Sequence, residues 1–108
     1  MKRGEIWLVN LDPTYGTEIK KTRPCVVVSV DEANDTLPRL IVVPLTSNTR
    51  SVHAGQTLID VNGTISKATC DQMRAVDKKR IYKKLGAITK FEMLALEKAM
   101  LVLLGLPL

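Results

Sequence analysis

The sequence predicts a mainly β fold, a small antiparallel barrel with one helix at its C-terminal end. Three observations carry that expectation. About six or seven short apolar or β-branched runs lie between Glu5 and Ile88, separated by turn signals. The apolar period becomes helical only after Thr89. The 108 residues, 45% of them hydrophobic, suffice for one core but not two, so residues 1–108 are expected to form a single domain.

The first strand is Glu5–Leu11 (EIWLVNL), which ends at the turn signal Asp12–Pro13. Trp7 inside it is expected in the core. Tyr15–Thr22 is polar, contains Gly16, and reads as a loop anchored at both ends with a mobile middle. Pro24–Val30 (PCVVVSV) is nearly all apolar, as befits a strand buried on both faces. Asp31–Pro38 reads as a polar loop. Leu40–Leu45 (LIVVPL) is the next strand, and Pro44 asks for an edge or a bulge because it cannot donate to a ladder. Gly55–Val61 alternates and turns at Asn62–Gly63, a hairpin signal. Ala68–Val76 alternates less clearly, and Arg80–Ile88 is the last strand. Thr89 and Glu92 form a capping box, and Gly105 stops the helix. Phe91, Leu94, Ala95, Lys98 and Val102 map one face of that helix, broadened by Leu96, Ala99, Met100 and Leu103.

The net charge of +5 is unevenly spread. Residues 1–60 carry seven Lys/Arg against seven Asp/Glu, whereas residues 61–108 carry nine against four. Most of the excess lies from Lys67 to Lys90: Lys67, Arg74, Lys78, Lys79, Arg80, Lys83, Lys84 and Lys90. That stretch is either a polyanion site or a solvated face. Cys25 and Cys70 each sit in apolar surroundings and read as buried thiols of a reduced compartment. The N-terminal apolar run is short and interrupted by Glu5, so it is no secretory core. No apolar run reaches the roughly 18 residues of a membrane span, so no membrane association is expected and the cytoplasm follows by default.

Metal and cofactor chemistry find no support. The chain has one histidine, His53 in RSVHAG, which reads as a surface residue, and its two cysteines lack C-x-x-C spacing. Asp12, Glu18, Asp71 and Asp77 are scattered, and no P-loop or GxGxxG is present. Two polar spots interrupt the apolar strands instead: Arg23, just before PCVVVSV, and Thr46 with Ser47, just after IVVPL. A guanidinium fork matches two phosphate oxygens and a hydroxyl donates to a third. If a 2′-OH attacks that phosphate, the same pair stabilises the transition-state charge. On residue types alone, a surface arginine and a turn threonine are the favoured reading.

Four stretches then resemble the MazF/PemK toxin family in its order and spacing: GEIWLVNLDPTYGTE at residues 4–18, TRPCVVVS at 22–29, VVPLTSN at 42–48 and CDQMRAVDKKRI at 70–81. The resemblance implies an SH3-like barrel with a C-terminal helix and a homodimer. It also implies metal-independent cleavage of single-stranded RNA at short motifs, leaving a 2′,3′-cyclic phosphate and a 5′-hydroxyl. A cognate antitoxin whose extended tail fills the RNA groove is implied as well. Carried over, Arg23 matches the catalytic arginine, Thr46 the catalytic threonine that holds the scissile phosphate, and Glu18 an acidic position implicated in some members. For Glu18 the base role is one reading, and a loop carboxylate that offsets Lys20 and Lys21 is the alternative. Tyr15, Thr17, Lys20, Lys21, Ser47, Gln72 and Arg74 fall in segments expected to touch RNA: Tyr15 by stacking on a base, Lys20 and Lys21 by tracking phosphates. For Arg74 an ion pair with Asp71 or Asp77 is the alternative.

PemK-like members carry a histidine where this chain has Thr17 and an arginine where it has Thr69, although Asp71 is kept. The resemblance therefore implies an arginine–threonine mechanism rather than a His–Arg–Asp one. Two other functions share the fold class. A CcdB-like gyrase inhibitor needs an aromatic near the C-terminus, and this chain ends LLGLPL. A non-catalytic RNA-binding barrel needs stacking platforms, and aromatics make up only 4%.

Overall fold

In the computed structural model, which describes residues 1–107, the chain runs β1 (Glu5–Asn10), β2 (Thr22–Val27), α1 (Asp31–Thr36), β3 (Arg39–Thr46), β4 (Gln56–Val61), β5 (Thr64–Thr69), β6 (Arg74–Asp77), β7 (Ile81–Ala87) and α2 (Lys90–Leu104). Short 3-10 turns at Cys70–Gln72 and Lys78–Arg80 flank β6. All pairings are antiparallel, in the order β4-β5-β3-β2-β1-β7, with β6 alongside the first half of β3. Among the described residues β4 and β7 do not pair, so the expected barrel is a curled half-barrel with β4 and β7 at the ends of its strand path.

Alternation along β1, β2 and β3 splits the core in two. Ile6, Val26, Val28, Val43 and Leu45 face a cluster completed by Ile59, Ala68, Cys70, Leu96 and Ala99, so this layer lies between sheet and α2. Val9, Leu11, Cys25, Val27, Leu40, Val42 and Val76 fill the other face, with Trp7, Ile19 and Ile81 packed against them. The apolar run in β2 is thus buried on both sides, as its composition predicts. Both cysteines are buried free thiols. The Asn62–Gly63 hairpin forms with Val61 opposite Thr64 and positive φ at both turn residues, 52° and 92°. The capping box is present too: Thr89 Oγ1 accepts from Glu92 N at 3.1 Å, and Glu92 Oε1 accepts from Thr89 N at 2.9 Å. The second Glu92 oxygen accepts from Asp60 N at 2.8 Å, pinning the start of α2 to β4.

Three expectations need correction. Asp31–Pro38 is not a loop throughout: its first six residues are α1. Asn34 is buried, exchanging hydrogen bonds with Ser29, whose hydroxyl also accepts from Ile41 N at 3.0 Å. Asp31 and Glu32 favour the positive end of this one turn-and-a-half. Pro44 sits on neither an edge nor a bulge. It pairs with Cys25 of β2 on one side, and on the other it falls in the gap where β3 changes partner from β6 (up to Val42) to β5 (from Leu45). No ladder donor is required there. Finally, α2 turns a different face inward. Leu96 and Ala99 are buried with Met93 and Met100 beside them, whereas Phe91 and Leu94 are 83% and 65% exposed. The helix is apolar nearly all round, so its period did not single out the buried side.

Candidate active site

Where β2 and β3 leave the second core cluster, a cleft of about 560 Å³ opens. Its walls include Leu11, Pro13, Tyr15, Thr17, Glu18 and Ile19 from the β1–β2 loop, Pro44 from β3, and Asp71, Gln72, Met73 and Arg74 after β5. Sequence reasoning placed Tyr15, Thr17, Glu18, Gln72 and Arg74 at a site, and the fold gathers all five here.

The loop is built from both ends. Leu11 N donates to Lys21 O at 2.9 Å, and Lys21 N donates to Asp12 Oδ1 at 3.1 Å. Two arginines clamp its entry. Arg74 Nη1 donates to Leu11 O at 3.0 Å, and Arg80 Nη1 donates to the carbonyls of Asn10 and Asp12. Neither alternative ion pair of Arg74 forms: the guanidinium holds backbone, not Asp71 or Asp77, among the described residues. The middle of the loop is also tied. Gln72 Oε1 accepts from Ile19 N at 2.7 Å and Gln72 Nε2 donates to Thr17 O at 3.5 Å. That corrects the picture of a loop anchored only at its ends. At the tip Tyr15 is 86% exposed, and Glu18 Oε1 accepts from Tyr15 N at 2.6 Å. One carboxylate oxygen of Glu18 has no partner among the described residues. Lys20 and Lys21 are exposed beside it.

Arg23 of β2 and Thr46 of β3 are not among the residues that line the cleft; of these two strands only Pro44 does. Cys25 stands opposite Pro44 in the β2–β3 ladder. Continuing that register by two residues sets Arg23 opposite Thr46, on the sheet face that carries Cys25 and Val42. Arg23 is exposed; its Nε donates to Lys20 O at 3.2 Å, while its terminal nitrogens are unengaged among the described residues. Thr46 is half-buried and its Oγ1 accepts from Asn48 N at 3.3 Å. Its hydroxyl proton remains available. Ser47, next along, is exposed.

Several groups are set apart. Thr69, where PemK-like members carry arginine, is buried and donates from Oγ1 to Pro44 O at 2.8 Å. Burial pushes the Cys25 thiol up to about 12 despite the nearby Arg74 charge, and burial, with help from Asp71, raises Cys70 to about 11. Neither is a nucleophile at neutral pH. His53 is exposed outside the cleft walls, as expected of a surface residue. No group of three or more His, Cys, Asp or Glu converges among the described residues, and no helix there is long and apolar enough to cross a membrane.

The basic stretch divides into two halves. Four of its eight members are engaged within the protein: Lys67 with Ser51 O, Arg74 and Arg80 with the loop, and Lys84 with Glu5 at 2.7 Å. Lys78, Lys79, Lys83 and Lys90 have no side-chain partner among the described residues. Arg80 and Lys67 were visible in the sequence only as charge. Their partners are distant in the chain, so spacing held no signal for them.

Comparison with known proteins places this architecture. Residues 2–104 match the model of the PemK-like, MazF-like toxins of type II toxin–antitoxin systems. The chain is 39% identical over 109 residues to the endoribonuclease MazF9 of Mycobacterium tuberculosis, covering 93% of this chain and 92% of the relative. Among solved structures, MazF from Deinococcus radiodurans superposes with a TM-score of 0.87 at 20% identity, covering 98% of this chain and 97% of that one. A mycobacterial endoribonuclease solved in complex with its cognate antitoxin gives 0.84 at 23% identity, covering 100% and 98%. These structural likenesses bear on the fold, and the sequence matches bear on descent. The chain belongs to the PemK-like, MazF-like toxin family of type II toxin–antitoxin systems.

Proposed function

We propose that this chain is a one-domain, metal-independent endoribonuclease toxin that cuts single-stranded RNA at short sequence motifs. The observation that supports the reading is the β2–β3 register: continued two residues past its last pair, Cys25–Pro44, it sets a guanidinium with free terminal nitrogens opposite a hydroxyl. In the proposed reaction the substrate's 2′-oxygen attacks the adjacent phosphorus and the bond to the 5′-oxygen breaks. Products are a 2′,3′-cyclic phosphate and a 5′-hydroxyl. Arg23 holds the non-bridging oxygens and offsets their growing charge, Thr46 donates to the same phosphate, and Glu18 takes the 2′-OH proton through its open carboxylate oxygen. The protonation of the leaving oxygen falls to Arg23 or to water.

Tyr15, Thr17, Lys20, Lys21 and Ser47 are proposed to touch the RNA strand from the rim, Tyr15 by stacking. Gln72 and Arg74 serve the RNA by fixing the loop that carries Glu18. The buried Thr69 and the absence of histidine at Thr17 support the arginine–threonine chemistry over a His–Arg–Asp version. Metal independence rests on the family resemblance and is what the EDTA test below decides.

A relative solved with its cognate antitoxin supports a further part of the reading, an antitoxin that neutralises the toxin; a homodimer and a cytoplasmic setting are proposed from the family resemblance. The exposed apolar residues Phe91, Leu94 and Val102 of α2 are surface that a second copy can cover. The test is a long single-stranded RNA incubated with purified protein in EDTA. Cutting, with 5′-hydroxyl ends, is expected. Intact RNA in EDTA that is cut only after Mg²⁺ is added rules the mechanism out.

A further inference from the structure

Lys67 stands directly across β5 from Thr46. Residues opposite one another in an antiparallel pair share a face, with Cβ atoms about 4.5–5.5 Å apart. The neighbours Ala68 and Cys70 belong to the core under α2. Lys67 and Thr69 therefore occupy the opposite face, shared with Pro44 and Thr46; the Thr69–Pro44 hydrogen bond is consistent with that placement. Thr46 and Lys67 thus stand side by side on β3 and β5, and continuing the β2–β3 register past its last pair, Cys25–Pro44, extends the row to Arg23.

The state of that lysine is unusual. It is only 9% exposed, and its Nζ donates to a single protein group, Ser51 O, at 3.0 Å. The ion pairs among the described residues are Arg3–Glu97 and Lys84–Glu5, so no carboxylate balances Lys67. A lysine this deeply set without a counter-charge costs the fold stability, and its ammonium carries three donors of which one is engaged here. An aliphatic residue would serve packing on β5 at lower cost. A cation without a counter-charge, across the strand pair from a hydroxyl, is in contrast what an anion site requires.

We propose that Lys67 is a phosphate-binding residue of the same site, its missing counter-charge supplied by the backbone of single-stranded RNA at the phosphodiester held by Thr46. The ammonium keeps Ser51 O as its protein partner and gives its remaining donors to phosphate oxygens. It acts as a point charge beside the fork of Arg23. The inference rests on the RNA-cutting function proposed above.

The test uses the full chain and two probes: a long single-stranded RNA for cutting, and a random-sequence 2′-O-methyl RNA 20-mer, which cannot be cut, for binding. Lys67→Gln keeps a donor for Ser51 O but removes the charge; Lys67→Arg restores charge. Loss of one phosphate contact should make the slope of log K against log[salt] shallower by about 0.7 for a single strand. Lys67→Gln should show that change with a fall in affinity of roughly 10-fold near 0.1 M salt, and Lys67→Arg should recover the slope. On the unsubstituted protein, the Lys67 ε-methylene NMR signal should shift when the 20-mer is added, which keeps the proposal testable if Lys67→Gln does not fold. An unchanged slope in Lys67→Gln, or no NMR shift, overturns the role of Lys67 while the unsubstituted protein still binds and cuts. If the unsubstituted protein neither binds the 20-mer nor cuts RNA, the function itself fails, and this inference with it.

Discussion

The groups that hold the β1–β2 loop, the floor of the site, and the row of Arg23, Thr46 and Lys67 beyond the cleft walls, its rim, differ in what they already hold. On the floor, Gln72 uses both ends of its amide on the loop backbone, and Arg74 and Arg80 hold the carbonyls at its entry. On the rim, Arg23 keeps its terminal nitrogens open, Thr46 keeps its proton, and Lys67 keeps donors without a counter-charge. Residues of the same chemical type thus divide into those that shape the site and those with capacity for a ligand. Hydrogen-bond satisfaction makes the division; charge and residue type alone do not.

That contrast makes its largest prediction at the rim. Arg23→Ala should lower kcat for RNA cutting by about 10²–10³-fold, the scale of losing one transition-state donor, with the circular dichroism spectrum unchanged. A variant as active as the parent would remove Arg23 from the chemistry. Floor variants should behave differently. Arg74→Ala releases Leu11 O and should destabilise the fold by about 1–2 kcal/mol, raising KM more than it lowers kcat. A pure kcat loss with unchanged stability would move Arg74 from floor to rim. For Glu18→Gln the acidic limb of the pH profile of kcat should disappear; a limb that persists assigns the base elsewhere.

Smaller effects are expected far from the cleft. Glu5 is partly buried, which alone raises its pKa, yet bonds from Lys84, the Lys2 N–H and Trp7 Nε1 outweigh that and lower it from 4.5 to about 2. Its folded pKa lies below the unfolded value, so its contribution is full above pH 4.5 and fades as pH falls toward 2. Glu5→Gln should therefore lower Tm at pH 7 and flatten the loss of Tm across that acid window, with RNA cutting unaffected. An equal drop in Tm at pH 7 and pH 2 would contradict the linkage. The two buried thiols should resist a thiol reagent at pH 8 until denaturant is added.

Legibility in the sequence followed the range of the interactions. The Asn62–Gly63 turn and the Thr89–Glu92 box are local, and both were visible. α1 was not, because it depends on the buried Asn34 meeting Ser29 and, through it, Ile41 of β3. The inward face of α2 was hidden by apolar residues on every side. At the site, Arg23, Thr46 and Glu18 stood out by resemblance. The roles of Gln72 and Arg80 could not, since Gln72 reaches a loop 53 residues earlier and Arg80 one 70 residues earlier. Lys67 appeared only as one charge in a run, and its burial is a property of the β5 register.

The central claim is that Arg23 and Thr46 act on one phosphodiester. A double-mutant cycle on kcat with Arg23→Ala, Thr46→Val and the pair tests it most directly, since residues sharing a partner are not additive. The account predicts a double variant little slower than Arg23→Ala alone. Losses that simply multiply would place the two side chains on separate tasks and contradict it.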